Sequence, residues 1–200
     1  MAATQEIFTS TTTWTPPAAT TVTIEAWGRG GIGGEDFGLG GGGGAGATKV
    51  THTVAVSPAV PLVITFGTLD VTITQGGSTI VLAKVGVSAV EDAPGVASST
   101  GCVGTTFELG QSGSAPSGGN GGAGGAAGGT GGGAGGAGGT VANGSAGSAP
   151  GGGSGGAKVG SGGLPGARGA GKVILTYTLG QSTAKKAFAT CIVPAAVMKL

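Results

Sequence analysis

An all-β fold is predicted for this chain: a small antiparallel β-sandwich framework carrying packed polyglycine II helices. Three observations predict it. Stretches rich in Thr, Val and Ile alternate with the two-residue period of half-buried strands. A glycine-rich centre repeats small residues at every third position. No segment before residue 181 has a helical period, so no significant helix is expected ahead of the C-terminal tail.

The strands follow in chain order. TTVTIEAWG (Thr20 to Gly28) sets Val22, Ile24 and Ala26 against Thr21, Thr23 and Glu25, with Pro16 and Pro17 marking its approach. KVTHTVAV (Lys49 to Val56) alternates again, and PLVITFG (Pro61 to Gly67) reads as a more fully buried strand. DVTIT and STIVLA flank Gln75-Gly76-Gly77, a hairpin signal, because tight hairpin turns need positive φ. TTFEL (Thr105 to Leu109) and KVILTYTLG (Lys172 to Gly180) complete the set. The expected organisation is a β-rich framework over 1–110, a glycine-rich region over 111–171, a closing strand of the same domain over 172–180 and a docking tail over 181–200.

The glycine carries its own period. From Gly118 the chain reads GGN, GGA, GGA, slips by one residue at Ala127, reads GGT, GGG, slips again at Ala134, and ends GGA, GGT. Asn120, Ala123 and Ala126 therefore recur at period three, as do Ala134, Ala137 and Thr140. That is the period of polyproline II, with ~3 residues per turn, ~3.1 Å of rise and no internal hydrogen bonds. Buried helices of this kind must bond every N–H and C=O to neighbours. Only glycine allows the approach on several sides, and the third residue faces outward or into gaps. Composition alone favours a flexible Gly/Ser linker instead. Two features point to packing: no charged residue occurs between Leu109 and Lys158, and GKVILTYT follows as a good core strand.

Composition also limits function. Of 200 residues 50 are Gly, 8% are charged, and the net charge is +1, which gives no overall field to attract nucleic acid or an anionic membrane. Mean hydropathy is +0.34 through small residues, and no apolar run reaches the ~18 residues of a spanning helix, so no membrane insertion is expected. No basic and apolar leader opens the sequence, so no secretory signal is expected. Cys102 and Cys191 lack metal-ligand spacing; two reduced, buried thiols are expected, with pairing left open.

Motif matches are weak. Gly28-Arg29-Gly30-Gly31-Ile32-Gly33 fits a dinucleotide fingerprint but no helix can follow it. GARGAGK (Gly166 to Lys172) resembles a P-loop, yet Val173 stands where a hydroxyl must reach the metal. Gly163 to Gly171 forms three collagen-like triplets, read as one more glycine strand in which Pro165 fixes φ. His52, the one histidine, is expected to be a strand residue, and no nucleophile elbow accompanies it. The pairs Glu35-Asp36 and Glu91-Asp92 lack a calcium-loop pattern and read as solvated loop charge. Asn143-Gly144-Ser145 fits a glycosylation sequon. No catalytic residue, cofactor or metal is expected.

Two contact regions stand out. Glu35, Asp36 and Phe37 interrupt a glycine run and place a charged, aromatic bump on a loop, a candidate partner or receptor contact. The tail AKKAFATCIVPAAVMKL is apolar after the domain should have closed, so Phe188, Ile192, Val193, Val197 and Leu200 are candidate assembly contacts.

TWTPPAATTVTIEAWGRGGIGG, then GGGGGAGATKVTHTVAV, a long GG-rich centre and a closing PGARGAGKVILTYT together resemble the glycine-rich domain of bacteriophage tail and tail-fibre proteins. That family's framework, W-x-x-P-x-G-V-x-x-V-x-V-x-x-W-G-G-G, carries polyglycine II bundles and includes host-recognising adhesins at fibre tips. The resemblance spans roughly residues 8 to 178, with Ala19 and Thr20 where the family prefers Gly, and Arg29 inside the first glycine run. It implies a non-enzymatic virion structural protein of a tail, fibre or surface, assembled in the host cytoplasm. Other virion proteins and a host receptor would be its partners, and fibre proteins are often homo-oligomers. The alternatives are an ice-binding protein, which polyglycine bundles also resemble, and a bacterial glycine-rich surface protein, suggested by the GGAGGAGG runs.

Overall fold

The structure is a computed structural model that describes residues 2–35, 40–160 and 162–179. Among these residues there are nine strands and no helix. The strands are β1 (Thr4–Phe8), β2 (Thr12–Trp14), β3 (Thr20–Trp27), β4 (Lys49–Val56), β5 (Leu62–Phe66), β6 (Val71–Gln75), β7 (Ser78–Ala83), β8 (Thr106–Glu108) and β9 (Lys172–Tyr177). Two antiparallel sheets result, one in the order β1-β9-β3-β4-β8 and one in the order β2-β5-β6-β7.

Alternation decides what each strand buries. Val22, Ile24 and Ala26 of β3 are inaccessible to solvent, as are Val173 and Leu175 of β9, while Thr23 and Glu25 between the β3 residues are half-buried and Thr21 is exposed. These residues join Leu62, Ile64, Val71, Ile73 and Val81 of the second sheet in one hydrophobic cluster. β6 and β7 form the expected hairpin, with Gly76 and Gly77 at φ 56° and 83°, the double positive φ of the turn that follows strand twist.

Two features differ from the sequence reading. β5 is half-buried rather than fully buried, because only Leu62 and Ile64 face the core and Val63 is open to solvent. The closing strand β9 lies inside its sheet, between β1 and β3. β1 and β2 were not foreseen. β1 turns Glu6 toward the core, where its carboxylate accepts the Trp14 indole N–H at 3.0 Å and the Tyr177 hydroxyl at 2.5 Å.

The glycine-rich segments hydrogen-bond to one another in a repeating order. In 41–47, the N–H groups of Gly41, Gly44 and Ala47 donate to Ala157, Ser154 and Gly151. Those of Gly43 and Gly46 donate to Ser114 and Gln111, and those of Gly42 and Ala45 to Glu91 and Val87. Carbonyls of the same segment accept from Gly122, Gly125 and Gly128, from Gly31 and Gly34, and from Gly95. One segment thus has six neighbours, addressed every third residue.

Segment 151–157 is built the same way, donating to the 122–125, 31–34 and 145–148 stretches and accepting from 41–47, 133–139 and 166–169. Both interior segments are buried at every position. Farther out the three-residue period shows in exposure: Gly133, Gly136 and Gly139 are buried while Ala134 and Ala137 are exposed. The bonded assembly starts at residue 29, so it takes in glycine from both ends of the β3–β4 connection as well as the 111–171 region.

Close approach is what requires glycine at these positions. A Cβ at Gly153 would lie under 3.0 Å from the backbone of Gly44 and Ala45. Gly153→Ala is therefore expected to cost roughly 3 kcal/mol, at the upper end of overpacking. The outward Ala137→Ser should stay within about 0.5 kcal/mol. Urea unfolding of the two variants checks both values, and equal destabilisation would contradict the packing described.

The hydrogen bond to Glu6, then burial and the Glu6 charge, push the Tyr177 phenol up to about 12. Because the folded value is the raised one, this stabilisation is complete below ~10, the free phenol's value, and is lost as pH rises from there to about 12. Tyr177 is the only tyrosine, so phenolate absorbance should titrate near 12 in the native protein and near ~10 in denaturant. Glu6→Gln should lower the native value.

Candidate functional site

The glycine assembly stands on the framework through Trp27. Its ring is fully buried at the end of β3, and its indole N–H donates to the Gly128 carbonyl at 2.8 Å. The ammonium groups of Lys49 and Lys172 lie 5.6 and 5.2 Å from the ring centroid. Lys49 is itself buried and ion-paired with Glu25 at 2.5 Å and Glu108 at 3.1 Å. Burial pulls the Lys49 pKa down, but hydrogen bonds and charge from the two glutamates outweigh it and leave the value raised. A buried charge is tolerable only with partners of this kind.

From that junction the segments run outward and turn back at a far end. Gly28 follows β3 directly and leads toward Gly34, while Ala47 precedes β4 and leads back toward Gly41. The Gly34 N–H donates to the Gly42 carbonyl at 2.7 Å, which holds residues 34 and 42 side by side. Beside it sits the Val90–Ala93 turn, tied in by Gly42 donating to Glu91, whose own φ is 54°. The Ser117–Asn120 turn and the 158–159 stretch meet there too, through Val159 donating to Gly119 and Lys158 donating to Ala142. Asn143 Oδ1 accepts the Leu164 N–H at 2.8 Å, fixing two further turns against each other.

This loop end gathers part of what the sequence singled out. Glu35 and the Glu91-Asp92 pair are exposed there, near each other. Asp36 and Phe37 lie outside the described residues, as do the tail candidates Phe188, Ile192, Val193, Val197 and Leu200 and the cysteine Cys191. Sequence reasoning missed three exposed apolar residues at the same end: Val90 at 72%, Val141 at 82% and Leu164 at 60%. Each is a lone large side chain among small residues, a signal that only the turn positions make meaningful.

The remaining motifs resolve into structural roles. His52 Nδ1 and Thr105 Oγ1 are 2.8 Å apart, a pairing between β4 and the approach to β8. The dinucleotide look-alike has every relevant amide engaged: Arg29, Gly30 and Gly31 donate to backbone carbonyls, and Ile32 and Gly33 to the hydroxyls of Ser88 and Ser154. None of these five amides remains to cradle a phosphate. Gly166 and Gly169 of the P-loop look-alike donate to Gly155 and Gly152, so this stretch is one more member of the glycine assembly. Burial raises the pKa of the half-buried Cys102 thiol, and the neighbouring Lys84 only partly opposes this. Among the described residues no group of His, Cys, Asp and Glu could hold a metal ion, and no helix is long and apolar enough to cross a membrane.

No known protein-family model matches the chain. No curated protein matches it significantly in sequence either.

Proposed function

We propose that this chain is a non-enzymatic structural protein of a bacteriophage particle, belonging to the tail, a fibre or the particle surface, and that its loop end faces a host receptor. The observation that carries the reading is the placement of exposed turns at the far end of an assembly in which every N–H of the interior segments 41–47 and 151–157 is hydrogen-bonded. We read the framework as a small sandwich and the glycine segments as polyglycine II helices, which the three-residue alternation of hydrogen-bond partners supports. At ~3.1 Å per residue, seven residues would hold the turns about 20 Å beyond the framework. Rigidity of this kind needs little side-chain volume, and loops on a rigid scaffold are where binding residues commonly sit. Other virion proteins are the proposed partners on the particle, and assembly as a homo-oligomer through the C-terminal tail is part of the proposal.

Immunogold electron microscopy with antibodies to this chain is expected to mark one site on tailed phage particles. Purified protein is expected to bind host cells, and Val141→Asp with Leu164→Asp to reduce that binding at least tenfold while the fold persists. Gold on no particle would overturn the virion reading. Binding to particles but not to cells would restrict it to decoration.

A further inference from the structure

Among the described residues, Lys49 and Lys84 are ion-paired with carboxylates, whereas Arg29, Arg168 and Lys172 are in no ion pair. The fold brings these three together. β3 pairs with β9 so that Trp27 stands opposite Lys172, and the same register continues beyond the sheet, where the Gly30 N–H donates to the Gly169 carbonyl at 3.1 Å. Arg29, next to that bond, therefore lies alongside the 168–172 stretch, close enough for its charge to act on Arg168. The two glycine motifs that separately resemble phosphate loops are thus neighbours, each contributing an arginine.

Asp70 is the carboxylate beside this region, next to Leu69, whose carbonyl accepts the Arg29 N–H. Its two oxygens are occupied by the Lys84 ammonium at 2.9 Å and the Val85 N–H at 2.8 Å. Lys172 rests over the Trp27 ring, which fixes its position without neutralising it. Arg168 is half-buried, and its pKa is lowered first by that burial and then by the charge of Arg29. Guanidinium groups without a counter-charge are suited to donate bidentate hydrogen bonds to a tetrahedral oxyanion.

We propose that Arg29, Arg168 and Lys172 form a binding site for a phosphate group, either the free ion or one borne on a glycan. The side chains do the binding, because the amides of Arg29 and Gly30 are already bonded. With a net charge of only +1 the attraction is local, reaching about one Debye length of ~8 Å at physiological salt. The site stands on different residues from the loop end and does not depend on the virion reading.

Isothermal titration of the full chain with sodium phosphate at constant ionic strength, and then with dextran phosphate, tests it. Saturable binding is expected, weakened at least tenfold in Arg29→Gln/Arg168→Gln, with Arg29→Lys/Arg168→Lys between the two. Near-UV circular dichroism establishes that the variants fold, as expected when only exposed and half-buried side chains change. Binding of inorganic phosphate identifies the free ion, and binding of dextran phosphate alone identifies a polymer-borne group. No saturable binding of either by the wild-type chain, or equal binding by the glutamine variant, overturns the proposal.

Discussion

A backbone buried without side chains must satisfy its own hydrogen bonds, and that constraint organises the whole molecule. Each residue of an interior glycine segment carries a donor and an acceptor that water cannot reach. Segments 41–47 and 151–157 meet the demand by addressing a different neighbour with each successive residue. Such a solution needs neighbours on every side, so it is cooperative. Ordering a glycine costs roughly 0.5–1 kcal/mol more than ordering an alanine, and isolated contacts would not offset that. The same demand explains the composition of the interior segments, GGGGAGA and GGGSGGA, where the largest side chain is a serine. That serine serves the network directly, since Ser154 Oγ accepts the Gly33 N–H at 2.9 Å.

The β framework supplies alignment. Connections between its strands are the glycine segments themselves: β3 to β4 contributes two, and the β7–β8 and β8–β9 connections contribute the rest. Because β3, β4 and β9 are hydrogen-bonded neighbours, the segments leaving them start side by side. Trp27 then joins the two parts with one indole hydrogen bond and a ring covered by two ammonium groups. The arrangement places larger, exposed residues at the turns farthest from the framework and leaves the sides mostly glycine and alanine. The proposed loop contact and the proposed basic site stand on different parts of the molecule.

Much of this was legible in the sequence. Alternation located the interior strands, and Gln75-Gly76-Gly77 located the hairpin, because both signals are local. The period of three around Ala123, Ala134 and Ala137 is visible in the burial of the same residues. β1 was not legible, since Glu6 looks like a surface residue until Trp14 and Tyr177 are placed beside it. Nor was the joining of residues 28–47 to the later glycine, which depends on contacts more than a hundred residues apart in the chain, such as Gly30 with Gly169. The basic cluster was hidden for the same reason: net charge averages over the chain, whereas strand register puts Arg29 beside Arg168. The loop candidate was legible only in part, through Glu35 and Glu91-Asp92, because exposed apolar residues at turns carry no periodic signature.

Residue-resolved amide hydrogen exchange across Gly118 to Ala157 tests the central claim most directly. The bonded assembly predicts slow exchange through Gly151 to Ala157. It also predicts an alternation in the outer segment, where Gly133, Gly136 and Gly139 donate to Pro150, Gly153 and Gly156. These three amides should be protected, while those of Ala134, Gly135, Ala137 and Gly138, which find no acceptor among the described residues, should exchange fast. Uniform exchange at the rate of an unstructured peptide would contradict it and make the glycine a linker.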